Sequence, residues 1–391
     1  MNYKELFSTH PVVKQFATVQ LIAYFGAWFS NVAIYSMLVD FGASAFVIAL
    51  VAAMHLLPGA ILAPFSGTIV DRVQAKTLMV SLMFTELVMT LCFLAINSID
   101  DVWLLLILLF IRMGSASIFF TTQMSYLPKL LSNEALIKAN ELHSIIWSFT
   151  FTAGMAAGGI VVSIFGAKIS FIIDGLFFLT AILILIRIEF TVKIEKATIK
   201  IWQSIKDGIS YLKEHKYLWH YFFLHASVGF TSFDAIVTLL ADYHYKYIIA
   251  VPLAIGLTNS IRAFALMIGP LFTQKFASKE KFHYLFIFQG LAIIIWANIQ
   301  DNFYLGLLGM FLTGLATTTI WSYTYAMLQD KVDKQYLGRV LAYNEMIFMS
   351  TNVIVTLFIG LMASLITLDI ISTILGLAFI AFAYYYKRVF L

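Results

Sequence analysis

The sequence predicts an all-α membrane protein: twelve transmembrane helices in two pseudo-symmetric six-helix bundles. Three observations carry that expectation. The 391 residues are 61% hydrophobic and only 12% charged, with a mean hydropathy of +0.90, and the charge is about half that of an ordinary soluble chain. Apolar runs of about 20 residues, the length that crosses a bilayer as a helix, recur from end to end. Basic residues collect in every second turn between those runs.

Taken in order, the runs lie near 15–38, 44–66, 77–97, 102–124, 138–163, 168–187, 217–241, 249–274, 282–299, 303–327, 339–363 and 366–386. The first follows a short polar start, Met1–His10, with no small-residue cleavage site behind it, so no removed signal peptide is expected. Between the second and third stands a charged hinge, Gly67 to Lys76, containing Asp71 and Arg72. A hinge so short forces a tight helical hairpin, in which Gly67 lets two backbones approach. The third run holds the single cysteine, Cys92, which has no partner for an intramolecular disulfide. The fourth carries Arg112, the sixth Asp174, the seventh Asp234 and the eighth Arg262. Gly154, Gly158 and Gly159 in the fifth are spaced to put small residues on one face, where helices pack closely. They are read either as packing or as a seal on the outward path.

The long polar interval 188–216 divides the chain into a first bundle, 1–187, and a second, 217–391. Within it Ile201, Ile205, Ile209 and Leu212 recur at helical spacing beside Trp202, away from Lys200, Lys206, Asp207 and Lys213. This reads as an amphipathic helix on the inner membrane surface, its basic residues near anionic lipid, or as a plain tether between bundles. The halves also look repeated. Leu136-Ile137-Lys138 aligns with Leu337-Gly338-Arg339, and Ala63-Pro64 with Gly269-Pro270.

Charge placement sets the expected orientation. Of 25 basic residues, Lys168 and Lys246 fall in one set of turns and Arg112 and Arg262 within helices, which leaves 21 on the side of the two termini. Asp40, Asp100, Asp101, Asp242, Asp301 and Asp369 occupy the opposite turns. Both termini are therefore expected in the cytoplasm. A net charge of +4 gives no reason to expect nucleic acid as a partner.

The pattern G-x-x-x-D-R-x-x-x-K over 67–76 resembles the cytoplasmic loop signature of the major facilitator superfamily. Further stretches resemble the branch with bacterial macrolide-efflux proteins and the enterobactin exporter. They are Leu109-Phe110-Ile111-Arg112, the run L-P-K-L-L-S-N-E-A-L from Leu127, Gly154-Met155-Ala156-Ala157-Gly158-Gly159, Phe171-Ile172-Ile173-Asp174 and Tyr336-Leu337-Gly338-Arg339-Val340. Two departures stand out. Met155 replaces the usual proline of the antiporter signature, and Phe25-Gly26-Ala27-Trp28 lacks the acid of the family's G-D-W. The resemblance implies a bacterial inner-membrane transporter, working as a monomer on a small-molecule substrate. It also implies a cavity lined by helices one, four, seven and ten, where Tyr24, Trp28, Asn31, Arg112, Asp234 and Trp321 are the candidate lining residues. In the family the 67–76 loop sits against the start of helix eleven, here Gly338 to Glu345. There Asp71 would meet a partly positive helix N-terminus in one access state, or act as a static brace.

Ionisable groups inside membrane-length runs cost roughly 2.5–3.5 kcal/mol each on insertion scales and so need a use or a partner. Glu86 and Arg112 lie about nine and twelve residues from the same face. At 1.5 Å per residue that is roughly a 4–5 Å difference in depth, and a pair is expected. The pair is read as coupling or substrate contact, or as a static brace. Asp234 and Arg262 are offset by about 9 Å on the same reckoning. They are read as a structural pair, or with Asp234 free to carry a proton. Asp174 is read as a packing or hydrogen-bonding group, or as a further coupling candidate. His220 and His225 are five apart and do not share a helix face, and no H-x-x-x-H or cysteine cluster occurs, so no metal site is expected.

No Gly-rich phosphate loop occurs, so no ATP chemistry and no organic cofactor are expected, and the proton gradient is the expected energy source. The chain is read as no enzyme but a secondary exporter of amphipathic organic compounds, with membrane lipids and protons as its other partners. The alternatives are a nutrient importer or facilitator of the same fold, a metal exporter, and a membrane scaffold that does not transport.

Overall fold

The computed structural model describes residues 2–70, 72–190 and 201–391, and among them the regular structure is entirely helical. A short helix, Tyr3–Thr9, precedes the first crossing, α1 (Pro11–Asp40). The rest of the first bundle is α2 (Ala45–Ala53 and Leu57–Val70), α3 (Ala75–Cys92), α4 (Val102–Tyr126) and the folded pair α5 and α6 (133–165 and 167–187). The second bundle is α7 (Leu218–Ala226 and Asp234–Tyr243), α8 (Val251–Thr273), α9 (Phe282–Ile299), α10 (Phe303–Leu315 and Thr317–Lys331), α11 (Leu337–Met362) and α12 (Leu368–Phe390).

Eleven helices among the described residues are long and apolar enough to cross a membrane, and one of them, Glu134–Arg187, is 54 residues long. It reverses at Gly166, whose φ of 80° is open to glycine but strained for other residues. Beyond the turn the chain runs back: Lys168 donates to Asn97 at one face, and Phe190 stacks edge-on against Phe16 at the other. The expected twelve crossings result.

Three crossings are interrupted, which hydropathy alone does not show. α2 breaks at Met54–Leu56, just before Pro58, which has no N–H to continue the ladder. α7 tightens into a 3-10 turn over Ser227–Thr231 and restarts at Asp234. Here Gly229 faces the α11 backbone so closely that a Cβ would sit 2.9 Å from the Asn352 nitrogen. α10 breaks at Ala316. Such breaks free backbone groups that must be paired inside the protein.

The apolar core has an uneven plan. Its largest cluster joins both bundles, from Val32, Ala49 and Leu105 to Ile236, Ile255 and Ile359. Toward the face carrying the termini it divides. One cluster (Phe16, Met79, Leu127, Leu185) belongs to the first bundle alone, and another (Leu218, Phe222, Leu328, Val340) to the second.

The linker helix, Ile201–Glu214, belongs to that second cluster. Tyr211 stacks on Tyr336 with centroids 4.3 Å apart, and its hydroxyl accepts from the Asp333 backbone N–H at 3.1 Å. The Tyr343 hydroxyl donates to the Ile205 carbonyl at 2.9 Å. The expected surface helix is thus docked on the start of α11: Tyr211 and Leu212 are buried against protein, while Ile209 stays exposed. Ile201 and Trp202 carry no described side chain.

Candidate functional site

Among the interior polar groups of the described residues, two hold the ionisable candidates, and they differ in kind. In the first, Arg112 on α4 donates to Asp174 on α6 at 2.8 Å, with side chains 5% and 0% exposed. The same carboxylate oxygen accepts from Ser30 of α1. The guanidinium is held between the rings of Phe93 and Phe178, at 5.6 and 5.4 Å from their centroids. The expected Glu86–Arg112 pair is therefore corrected. Arg112 is bonded within the first bundle to Asp174, whose same oxygen also accepts from Ser30. Glu86 is buried within electrostatic range of both but bonded to neither. Asp174 is the hydrogen-bonding group it was expected to be.

The second group lies where the bundles meet, at the breaks in α2 and α7. Asn31 of α1 donates through Nδ2 to His55 Nε2 at 3.1 Å. His55 sits in the α2 break, its Nδ1 3.3 Å from the Val51 carbonyl. Tyr35 stacks on the His55 ring at 5.8 Å. Across the seam, half-buried Asp234 opens the second piece of α7 and lies within electrostatic range of His55, Tyr35 and Arg262. Arg262 is not bonded to it. Arg262 instead donates to the Thr231 carbonyl at 2.7 Å and lies 4.9 Å from the Phe233 ring centroid. That carbonyl, at the break, also accepts from the Phe233 N–H at 3.0 Å, and the expected Asp234–Arg262 bond does not form. Among the described residues the Asp234 carboxylate has no hydrogen bond or ion pair.

The remaining candidates separate by place. Trp28 stacks on Phe151 at 4.3 Å and packs against Gly154, and Tyr24 meets the His143 ring at 6.2 Å. Trp321 is 38% exposed. The fifth-helix glycines divide by partner. Gly154 and Gly158 receive α1, at Trp28 and Phe29, inside the first bundle. Gly159 faces Pro252 and Gly256 of α8 and so joins the two bundles. A second joint lies at the same face, away from the termini, where Gly360 of α11 meets Ala45, Phe46 and Ala49 of α2.

In the charged hinge, Arg72 is exposed, and Lys76 donates to the Ile188 carbonyl at 2.9 Å, tying the hinge to the end of α6. Gly67 lies in the last turn of α2, and Asp71 lies outside the described residues.

Sequence reasoning missed a cluster on the terminal side of the second bundle. Buried His225 of α7 is ringed by Trp321 and Tyr325 of α10 and Phe348 of α11, at centroid distances of 5.8, 5.5 and 5.7 Å. Its Nε2 lies 3.8 Å from Glu345. A signal was present: Lys138 and Arg339 are 201 residues apart, and the same offset takes Tyr24 to His225, Phe120 to Trp321 and Trp147 to Phe348. The two bundles thus present matching aromatic walls.

A family model described as Major Facilitator Superfamily matches residues 16–356. Macrolide efflux protein A of Streptococcus pyogenes is 22% identical over 307 residues, 76% of each chain. The POT family transporter PepTSo superposes with a TM-score of 0.77 at 10% identity, covering 97% of each chain. A D-xylose-proton symporter superposes with a TM-score of 0.76 at 12% identity, covering 96% of this chain and 97% of that one. At these identities the structural likeness speaks for fold alone.

Proposed function

The chain belongs to the Major Facilitator Superfamily, a family of non-enzymatic transporters, and from that premise we propose that it exports amphipathic organic compounds by alternating access, in exchange for protons. The termini then lie in the cytoplasm of a bacterial cell, as the placement of basic residues favours.

One observation carries the proton coupling: among the described residues Asp234 is a carboxylate without a bonded partner, at the seam between the bundles, on the end of a broken helix. A charge there costs free energy unless something neutralises it. A proton arriving from outside and a substrate arriving from inside neutralise it in turn. The neutral seam repacks more readily than the charged one, so bundle motion follows occupancy. One proton crossing 100 mV supplies about 2.3 kcal/mol before any pH term. The direction of transport is supported by the likeness to Macrolide efflux protein A.

The test uses inside-out vesicles or proteoliposomes loaded with the full chain and a fluorescent amphipathic dye. Accumulation should collapse on adding a protonophore. Asp234→Asn should abolish gradient-driven accumulation while leaving downhill equilibration. Accumulation indifferent to the protonophore would end the proton reading.

A further inference from the structure

The ring around His225 has a chemistry that the Asp234 seam does not use. His225 is fully buried, and its Nδ1 lies 2.9 Å from the Thr324 hydroxyl oxygen. That hydroxyl has one hydrogen, and it lies 2.8 Å from the Ile320 carbonyl and 3.0 Å from the Trp321 carbonyl, the usual back-bond of a helical threonine. With its hydrogen spent on the backbone, Thr324 can only accept from His225. Nδ1 of the imidazole therefore carries the hydrogen, and Nε2 presents a lone pair. Nε2 is buried without a hydrogen-bond partner. What it faces is the Glu345 carboxylate, 3.8 Å away and 27% exposed. With neither group protonated there, two acceptors oppose each other with no donor between them.

The surroundings of this pair are aromatic. Trp321 and Tyr325 stack on each other at 5.1 Å and 19°, and Trp321 is 38% exposed. His225 lies seven residues into α7 and Glu345 eight into α11, each counted from the terminal side. That is a depth of roughly 10–15 Å, reachable from that side. Aromatic faces attract a cation, and a carboxylate binds one that also donates hydrogen bonds more strongly still.

We propose that His225, Glu345, Trp321, Tyr325 and Phe348 bind a protonated primary or secondary amine borne on an apolar body. Its ammonium donates to the part-exposed Glu345 carboxylate, and to Nε2 once the ring of Trp321 or Phe348 turns aside from it, each at about 2.8 Å, a normal charge-assisted distance. The site asks for N–H donors as well as charge, so a quaternary ammonium does not satisfy it. The inference rests on the exporter reading only in making the amine a cargo; binding itself does not depend on transport.

The experiment uses the purified full-length chain in detergent, with no gradient, and three probes sharing one fluorescent body: dansylcadaverine, its N-acetyl derivative and its N-trimethyl derivative. The amine should bind saturably, and both derivatives at least tenfold more weakly. Glu345→Gln should weaken amine binding at least tenfold, Trp321→Ala several-fold, and Trp321→Phe little. An unchanged melting temperature of each variant keeps a folding defect apart from a binding defect. Equal affinity for the three probes, equal affinity of amine and trimethyl derivative, or an unaltered Glu345→Gln affinity each overturns the proposal. If the amine does not bind but a neutral amphiphile is exported, this site falls and the exporter reading stands. If the amine binds as described and no compound is moved by a gradient, the exporter reading falls and the site stands.

Discussion

Adding a single methyl at Gly256 should change which face of the protein is open. An alanine Cβ there would lie 2.5 Å from the Met155 carbonyl oxygen and 3.0 Å from the Gly159 Cα. Ordinary contact begins at 3.4 Å, and both obstacles are backbone, so α5 and α8 must part by roughly 1 Å where they now touch. Overpacking of this kind costs about 1–3 kcal/mol. The cost applies only to the state in which this seam is shut, because in the alternate state the two helices separate. Gly256→Ala should therefore shift the access equilibrium by about 5- to 150-fold toward opening at the face away from the termini. The readout is labelling by a membrane-impermeant maleimide, after Cys92→Ser removes the one native thiol. New cysteines at Leu253, beside the seam, and at Phe120, on the terminal side, serve as reporters. The Leu253 rate should rise and the Phe120 rate fall. A labelling ratio within twofold of the parent, in a folded variant, would refute the seam as the closed gate.

Three further outcomes follow from the geometry. Asp174→Asn removes the charge bonded to buried Arg112 and should destabilise the chain by about 3–5 kcal/mol, read as a large fall in melting temperature. Asp234→Asn should leave stability within about 1 kcal/mol, because no bond is lost, while removing gradient-driven transport; measuring both quantities on one preparation separates a brace from a carrier. Tyr211→Phe removes the hydroxyl that accepts from Asp333 and should cost about 1 kcal/mol, whereas Tyr211→Ala also loses the stack on Tyr336 and should raise proteolysis within 201–214.

Much of the architecture was legible because length, hydropathy and basic turns are each set by the bilayer. The α5–α6 hairpin was visible as two runs. Gly166 needed coordinates only to show how the chain reverses there. Less was legible at the polar sites. Depth along helices gives a vertical coordinate and no azimuth, so Glu86 and Asp174 competed for Arg112 at similar depth, and only packing decided for Asp174. The broken helices were missed for a related reason. Gly229 and Pro58 do not lower hydropathy enough to interrupt a run, yet they decide where Asp234 and His55 emerge. The His225 ring was overlooked because its histidine was weighed against a neighbour in sequence, His220, rather than against its counterpart in the other bundle.

The two joints at the face away from the termini are made of glycine and alanine pressed on backbone, with scarcely a functional group between them. The cluster on the terminal side, by contrast, is rich in rings, a histidine and a carboxylate. On the proposed reading, gate and binding wall are built from different residues at opposite ends of the same helices. Substitutions at the binding wall would then alter which compound is taken while leaving the gate at the other end intact.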